Sequence, residues 1–367
     1  MSSEALIDHS SDKIGQAIVK VVGIGGGGCN AVTRMYHERI LGVEYMAVNT
    51  DAQHLMQLDV PTKIRVGDKL TRGLGVGGNP DIGRDSAEES RDELYEATRG
   101  SDMVFVAAGM GGGTGTGACP VVAEIAKESG ALTIAVVTKP FSFEGHRRKK
   151  QAEDGINLLR DRVDSLIVIP NDRLLDMCDD NVTTEQAFRL ADDVLRQAVQ
   201  AIAELVTISG TINLDFADVK SIMSGAGPAW MAIGSATGEN RAVEAARAAI
   251  NSPLLDVSIE GARGVLLNVA GGADLTMHEV HKAAAEIEEM VDPNVNLIFG
   301  MVQDLKLEDE VRVTIIATGF PGVDAFIPEE DLIWTQLGLN EPNGEDDLDV
   351  PPFLRRHPTL RRRARQG

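Results

Sequence analysis

The sequence predicts an α/β fold: a Rossmann-like parallel sheet with helices on both faces, joined by one long helix to a smaller α/β unit. Three observations predict it. Apolar strands alternate with amphipathic helices from residue 16 to about residue 180. Two glycine-rich loops, Gly23–Gly28 and Gly109–Gly117, each sit between an apolar run and a helical pattern. From Thr184 to Val206, apolar residues recur at heptad spacing along one uninterrupted helix.

The elements follow in order. Ala17–Val22 reads as the first strand and Asn30–Arg39 as a helix, with Gly23-Ile-Gly-Gly-Gly-Gly-Cys-Asn30 between them. That loop fits the dinucleotide pattern G-x-G-x-x-G, and Asp51 sits about where a ribose-binding acid is expected; alone the match is weak. Tyr45–Val48, Lys63–Val66, Met103–Ala108, Leu132–Val137 and Ser165–Ile169 read as strands, and Asp85–Thr98, Pro120–Ser129 and Arg147–Val163 as helices.

The run Gly109-Met-Gly-Gly-Gly-Thr-Gly-Thr-Gly117 is the strongest signal. It has six glycines in nine positions, more than a plain turn requires. Strand, glycine loop and helix together hold phosphate, because successive N–H groups converge on one anion and the helix N-terminus adds partial positive charge. Thr114 and Thr116 are candidate hydroxyl donors. No Gly-Lys pair occurs, so the usual G-x-x-x-x-G-K-[ST] loop is excluded. Two glycine loops in one sheet suit a ligand with several phosphates. Glu144 of Lys139–Gly145 falls on the same rim, where a carboxylate suits ribose hydroxyls; Arg148 is either a sugar or phosphate contact or part of a solvated basic helix start.

Thr184–Val206 carries Phe188, Leu195 and Ile202 at spacing seven, with Ala191, Ala198 and Leu205 in parallel. Thr183 and Gln186 form a capping box at its start. The stripe is too broad for a two-helix seam, so a spine buried between two units is favoured over a coiled coil. Asp215 and Asp218 then lie three apart at the start of a helix over Asp218–Ser224. They read as a capping pair, or as acids that polarise a water. Further helices are expected at Asn240–Asn251 and Met277–Val291, and strands at Gly264–Ala270, Asn296–Phe299 and Val311–Ala317. The expected divisions are an N-terminal segment (1–15), a nucleotide-binding domain (16–182), the central helix (183–209), a C-terminal α/β domain (210–320), a disordered linker (321–346), and an apolar docking peptide with an Arg-rich end (347–367).

The chain has 367 residues and a formal net charge of −21, which argues against nucleic-acid binding by its body. Cys29, Cys119 and Cys178 have no metal-ligand spacing and fit a reducing cytosol. No signal peptide or membrane span is legible, so a cytoplasmic protein is expected.

Gly109–Gly117, Asn49-Thr-Asp51, Pro140–Gly145, Asn171-Asp172 and Asn213–Val219 together closely resemble the FtsZ family of tubulin-like prokaryotic cell-division GTPases, over residues 16 to 320. The tail Asp349–Arg355 resembles that family's C-terminal docking peptide, in its bacterial form. The resemblance implies a tubulin/FtsZ-like fold and a GTPase that binds GTP and GDP with Mg2+ carried on the phosphates. Gly26, Gly27, Gly28, Cys29, Asn30, Gly113, Thr114 and Gly115 would hold phosphate, with Gly77 nearby. Glu144 and Arg148 would hold ribose, and Asn171 sugar or base. Phe188 would stack on guanine and Asp192 would accept from its N1 and exocyclic amine. Asp215, Asp218 and Asn213 would activate the attacking water in a neighbouring copy's pocket, giving a head-to-tail filament in a mid-cell division ring. Residues 347–356 would bind a membrane tether such as the actin-like FtsA, so that membrane contact is indirect. Cys29 departs from the family's usual glycine or asparagine and raises thiol sensitivity as an expectation. A non-catalytic nucleotide-binding scaffold, an NAD-dependent oxidoreductase and a cell-shape paralogue are the competing readings.

Overall fold

The computed structural model describes residues 17–320, apart from 39, 41, 177, 179, 180, 208–214, 255–258 and 305. Asn213, the N-terminal segment, the linker and the docking tail therefore lie outside the described residues. The first half runs β1 (Val19–Ile24), α1 (Gly25–Glu38), β2 (Val43–Asn49), α2 (Ala52–Gln57), β3 (Thr62–Arg65), α3 (Asp68–Thr71), α4 (Pro80–Glu89), α5 (Arg91–Thr98), β4 (Met103–Gly109), α6 (Thr114–Glu128), β5 (Leu132–Lys139), α7 (His146–Arg160), β6 (Ser165–Pro170) and α8 (Asn171–Leu175). Next come α9 (Thr184–Thr207), α10 (Phe216–Met223), β7 (Gly227–Thr237), α11 (Arg241–Ile250), β8 (Gly264–Gly271), α12 (Met277–Glu288), β9 (Asn296–Gln303) and β10 (Glu310–Thr318).

All ten strands join one sheet in the order β3-β2-β1-β4-β5-β6-β7-β10-β8-β9. The first seven are parallel, β10 is antiparallel to both its neighbours, and β8 and β9 are parallel. Strand order reverses between β1 and β4, which is where an open parallel sheet leaves a crevice at its C-terminal edge. The register is close: Ile24, the last residue of β1, lies opposite Ala108 of β4, so the two glycine loops leave the sheet side by side.

The two halves meet at a narrow seam. Only Ser165, Leu166 and Ile167 of β6 pair with β7, opposite Gly227, Pro228 and Ala229. Pro228 has no N–H to donate there. The seam is braced by α9, which begins with the expected capping box: the Thr183 N–H donates to Gln186 Oε1 at 2.8 Å and the Gln186 N–H to Thr183 Oγ1 at 3.3 Å. Its apolar stripe (Val194, Leu195, Ala198, Val199, Ile202, Leu205) is buried in one core with Val21, Phe105, Ile134 and Val136 of the first half. Leu266, Ile298, Val302 and Ile316 of the second half complete that core. The spine reading holds, and the helix is not a coiled-coil seam.

Several limits differ from expectation. The glycines Gly25–Gly28 are the first turn of α1, not a loop before it. The expected Asp85–Thr98 helix is two helices broken at Ser90, whose φ of −104° and ψ of 20° leave helical space. The longest strand, β7, is absent from the sequence reading.

Ile202 is fully buried in the last two turns of α9. Ile202→Ala is expected to cost about 3 kcal/mol by opening a cavity beneath the seam, read as a thermal midpoint several degrees lower.

Candidate nucleotide cleft

A cleft of about 570 Å³ opens at the C-terminal edge of the parallel strands. Its floor is the pair of glycine loops. Gly25 has a φ of +69°, and a Cβ built there would stand 2.6 Å from the Gly115 N, so a side chain would force the loops apart. Gly28 is equally confined, its built Cβ lying 2.2 Å from the Ala107 carbonyl oxygen. Gly26 and Gly112 are different. Both line or border open space, neither has a positive φ, and a Cβ at either would meet nothing within 4 Å. The chain's own packing does not require glycine there, and the bare backbone faces the open cleft. α6 is preceded by Gly113 at its N-cap, with no side chain capping its first N–H groups, which leaves them for an anion.

The walls come from five further segments. β2 ends at Asn49 and is followed by Thr50 and Asp51. Thr50 Oγ1 lies 2.9 Å from Thr114 Oγ1, tying the edge of β2 to the start of α6. Asp51 caps α2 by accepting from the Gln53 and His54 N–H groups at 2.9 and 3.1 Å. Gly75, Val76, Gly77 and Gly78 form a second wall, held by Gln151 Nε2 donating to the Gly78 carbonyl at 3.1 Å. After β5 the chain turns at Ser142–Glu144. There Glu144 accepts from the Phe141 N–H at 2.9 Å and forms an ion pair with Arg148.

Asn171 begins α8 and is 4% exposed, yet its Oδ1 has no partner among the described residues. A buried acceptor left unpaired costs stability unless a ligand satisfies it. Phe188 on α9 is 41% exposed and meets Phe141 edge to face at 5.3 Å and Phe143 at 6.4 Å. One turn on, Asp192 Oδ2 lies 3.3 Å from Arg34 Nε. Burial pushes the Asp192 carboxyl up to about 6, against the pull of Arg34.

Of the residues named from sequence, Gly26, Gly27, Gly77, Gly113, Thr114, Gly115, Glu144, Arg148, Asn171, Phe188 and Asp192 all line this one cleft. Three named for the first loop sit otherwise. Gly28 and Cys29 are buried behind it, and Asn30 stands at its rim with Oδ1 3.1 Å from His54 Nε2. The Cys29 thiol faces the Gly23 and Val48 carbonyls, is fully buried, and is pushed up to about 12 by desolvation. This corrects the expected thiol sensitivity. Thr116 also turns away, its Oγ1 accepting from the Gly111 N–H at 2.8 Å, so it shapes the loop rather than the cleft. Sequence reasoning missed Arg34, His54 and Thr138. The first two are cued only by their fold neighbours, and Thr138 by its place at the end of β5.

Asp215 and Asp218 are exposed and do not line the cleft. The Asp215 N–H donates to Asp218 Oδ2 at 3.1 Å, so within one chain they form a capping pair. Asp192 and the end of α9 at Thr207 are separated by roughly 22 Å at about 1.5 Å per residue. The last residue of α10 is anchored at the opposite edge of the sheet, where Ser165 Oγ donates to the Met223 carbonyl at 2.6 Å. Among the described residues no group of three His, Cys, Asp or Glu is placed to hold a metal, and no helix is long and apolar enough to cross a membrane.

A family model described as the tubulin/FtsZ family GTPase domain matches residues 18–179, and one described as the FtsZ family C-terminal domain matches residues 227–321. Among solved structures, the empty FtsZ dimer of M. jannaschii is 49% identical with a TM-score of 0.81, covering 83% of this chain and 88% of that one. A tryptophan-to-tyrosine variant of M. jannaschii FtsZ gives the same identity and TM-score, with 83% and 92% covered. The GDP-bound CetZ1 monomer of Haloferax volcanii, at 24% identity and TM-score 0.71 over 83% of this chain and 95% of that one, shares the fold.

The two classes of glycine separate in a test. Gly112→Ala is expected to keep the thermal midpoint of the native chain while losing affinity for a polyphosphate ligand by at least about tenfold. Gly28→Ala is expected to lower the midpoint itself.

Proposed function

The chain belongs to the tubulin/FtsZ family of GTPases, and from that premise we propose that it binds and hydrolyses GTP in a site completed between successive copies of a head-to-tail filament. The carrying observation is the division of the machinery. The cleft holds every feature suited to a guanine nucleotide, while the acid pair stands at the other edge of the sheet. Residues 16–182 serve as the nucleotide-binding domain, 183–209 as the connecting helix and 210–320 as the domain that presents the acids.

Each side chain then has a role. The backbone of Gly26, Gly27, Gly113, Thr114 and Gly115, with the N-terminus of α6, binds the phosphates, and Gly77 and its loop close over them. Glu144 and Arg148 orient the ribose. Asn171 supplies its unpaired carbonyl to sugar or base, and Phe188 stacks on the ring. Ionised Asp192 accepts from N1–H and the exocyclic amine, a pairing that adenine cannot offer. Among the described residues Asp51, Glu144 and Asp192 line the cleft with Arg148, while Arg34 is already paired to Asp192, so the entering polyphosphate needs a counter-cation. Magnesium carried with the nucleotide supplies that charge compensation at the phosphates. Asp215 and Asp218 of the next copy, with Asn213, orient the attacking water and accept its proton. The capping bond holds the Asp218 carboxylate by one oxygen and leaves the other for that water.

The solved M. jannaschii FtsZ dimer supports self-association. A filament of the division ring, tethered through residues 347–356 to a membrane-anchoring partner such as FtsA, follows from the family. No observation favours the cell-shape reading over it.

Turnover per molecule is expected to rise above a threshold protein concentration together with light scattering. An equimolar mixture of Asp192→Asn and Asp218→Ala chains is expected to regain about a quarter of native turnover, since about one junction in four joins an intact cleft to an intact acid pair. Turnover strictly proportional to concentration, with no recovery on mixing, would sink the shared site. A second expectation concerns pH. Because the Asp192 carboxyl is raised to about 6, charging it destabilises the free chain as pH rises through that value, and the N–H donors of guanine offset the cost. Affinity for GDP is therefore expected to fall as pH is lowered below about 6, and Asp192→Asn to remove that acid limb along with at least about tenfold of the affinity.

A further inference from the structure

His54, on α2, belongs to no role assigned above, yet it lines the cleft beside Asn49 and connects that residue to Asn30 at the rim. Its Nδ1 lies 3.1 Å from Asn49 Nδ2 and its Nε2 lies 3.1 Å from Asn30 Oδ1. Which nitrogen carries the proton is decided by the backbone. Asn49 Oδ1 accepts from the Thr50 N–H at 2.9 Å and from the Asp51 N–H at 3.4 Å. A backbone N–H only donates, so the Asn49 oxygen must face that turn and its NH2 group must face the ring. His54 Nδ1 is then the acceptor and Nε2 carries the hydrogen. That hydrogen is met by Asn30 Oδ1, so the Asn30 amide turns its oxygen to the ring and its NH2 group away from it. The order of donors and acceptors is fixed from the end of β2 to the first helix with no freedom at any link.

We propose that His54 is a positioning residue of the phosphate site, holding the Asn30 amide so that its NH2 donors face the polyphosphate. The inference rests on the reading that this cleft binds a nucleotide. Asn30 is exposed on α1, and among the described residues His54 is the side chain that holds its amide. Without the ring the amide rotates freely, and half of its orientations present a carbonyl oxygen to an anion. Asn49 is 4% exposed, so the far end of the relay is anchored in the fold and does not move with solvent.

Two isosteric substitutions separate the two ends of the ring. Glutamine places its NH2 group near Nε2 and keeps the donor to Asn30; asparagine reaches only as far as Nδ1 and loses it. GDP titration of the full chain with magnesium is expected to show His54→Asn and His54→Ala weakened by about fivefold to tenfold, and His54→Gln restored to within about threefold of the native value. In an Asn30→Ala background, His54→Ala is expected to add nothing, because the relay already ends in nothing. Nitrogen-15 NMR of the ring is expected to show the proton on Nε2 alone. Equal affinity in all three His54 variants, additive losses in the double variant, or a proton on Nδ1 would overturn the role. If the native chain fails to bind GDP, the fault lies with the nucleotide reading and not with His54, whose tautomer is read in the free protein.

Discussion

The cleft depends on the register of β1 against β4. With Ile24 opposite Ala108, two chain segments leave the sheet at the same height and must pass within van der Waals distance of one another. Glycine at Gly25, Gly28 and Gly115 is what that closeness demands. Both loops then present backbone N–H groups to one volume, and the N-terminus of α6 is aimed into it. A shift of one residue in that register would leave either loop facing solvent alone.

Charge explains the rest of the arrangement. A cleft lined by Asp51, Glu144 and Asp192, with Arg148 on its wall and Arg34 engaged by Asp192, is a poor host for a bare polyphosphate. On the proposed reading, adding two more carboxylates permanently beside the phosphates would worsen the repulsion. On the same reading, standing Asp215 and Asp218 at the opposite edge of the sheet would let a chain bind nucleotide before any chain could hydrolyse it. The buried Asp192 would follow the same logic on a smaller scale, Arg34 stabilising its ionised form until a base supplied two donors.

Much of this was legible in the sequence, and the failures have physical causes. The capping pair Thr183 and Gln186 and the heptad stripe located α9 to within a residue. The parallel strands announced themselves through unbroken apolar runs. β7 did not, because Trp230-Met-Ala-Ile-Gly-Ser235 has a single β-branched residue and follows a Gly-Ala-Gly-Pro stretch that reads as a turn. The start of α1 was missed because glycine is a poor helix former, and tertiary contact overrides that preference. Around the cleft, the glycine loops, Glu144 and Arg148 were named from the order of motifs along the chain, whereas Gly77, Asn171, Phe188 and Asp192 were named only through the family resemblance. His54 and Arg34 could not be named that way, because their meaning lies in which distant atoms they meet.

One consequence of the glycine floor concerns inhibition and its evasion. A compound that competes for this cleft by imitating a polyphosphate would be gripped by peptide N–H groups, which no codon change removes. Substitution of Gly25 or Gly28 breaks the contact between loops, and substitution of Gly26 or Gly112 obstructs the natural ligand along with the competitor. A population under selection would find few single substitutions that exclude the one and keep the other. Escape would have to come from the aromatic and acidic rim around Phe188 and Asp192, and so at the end of the cleft that reads the base.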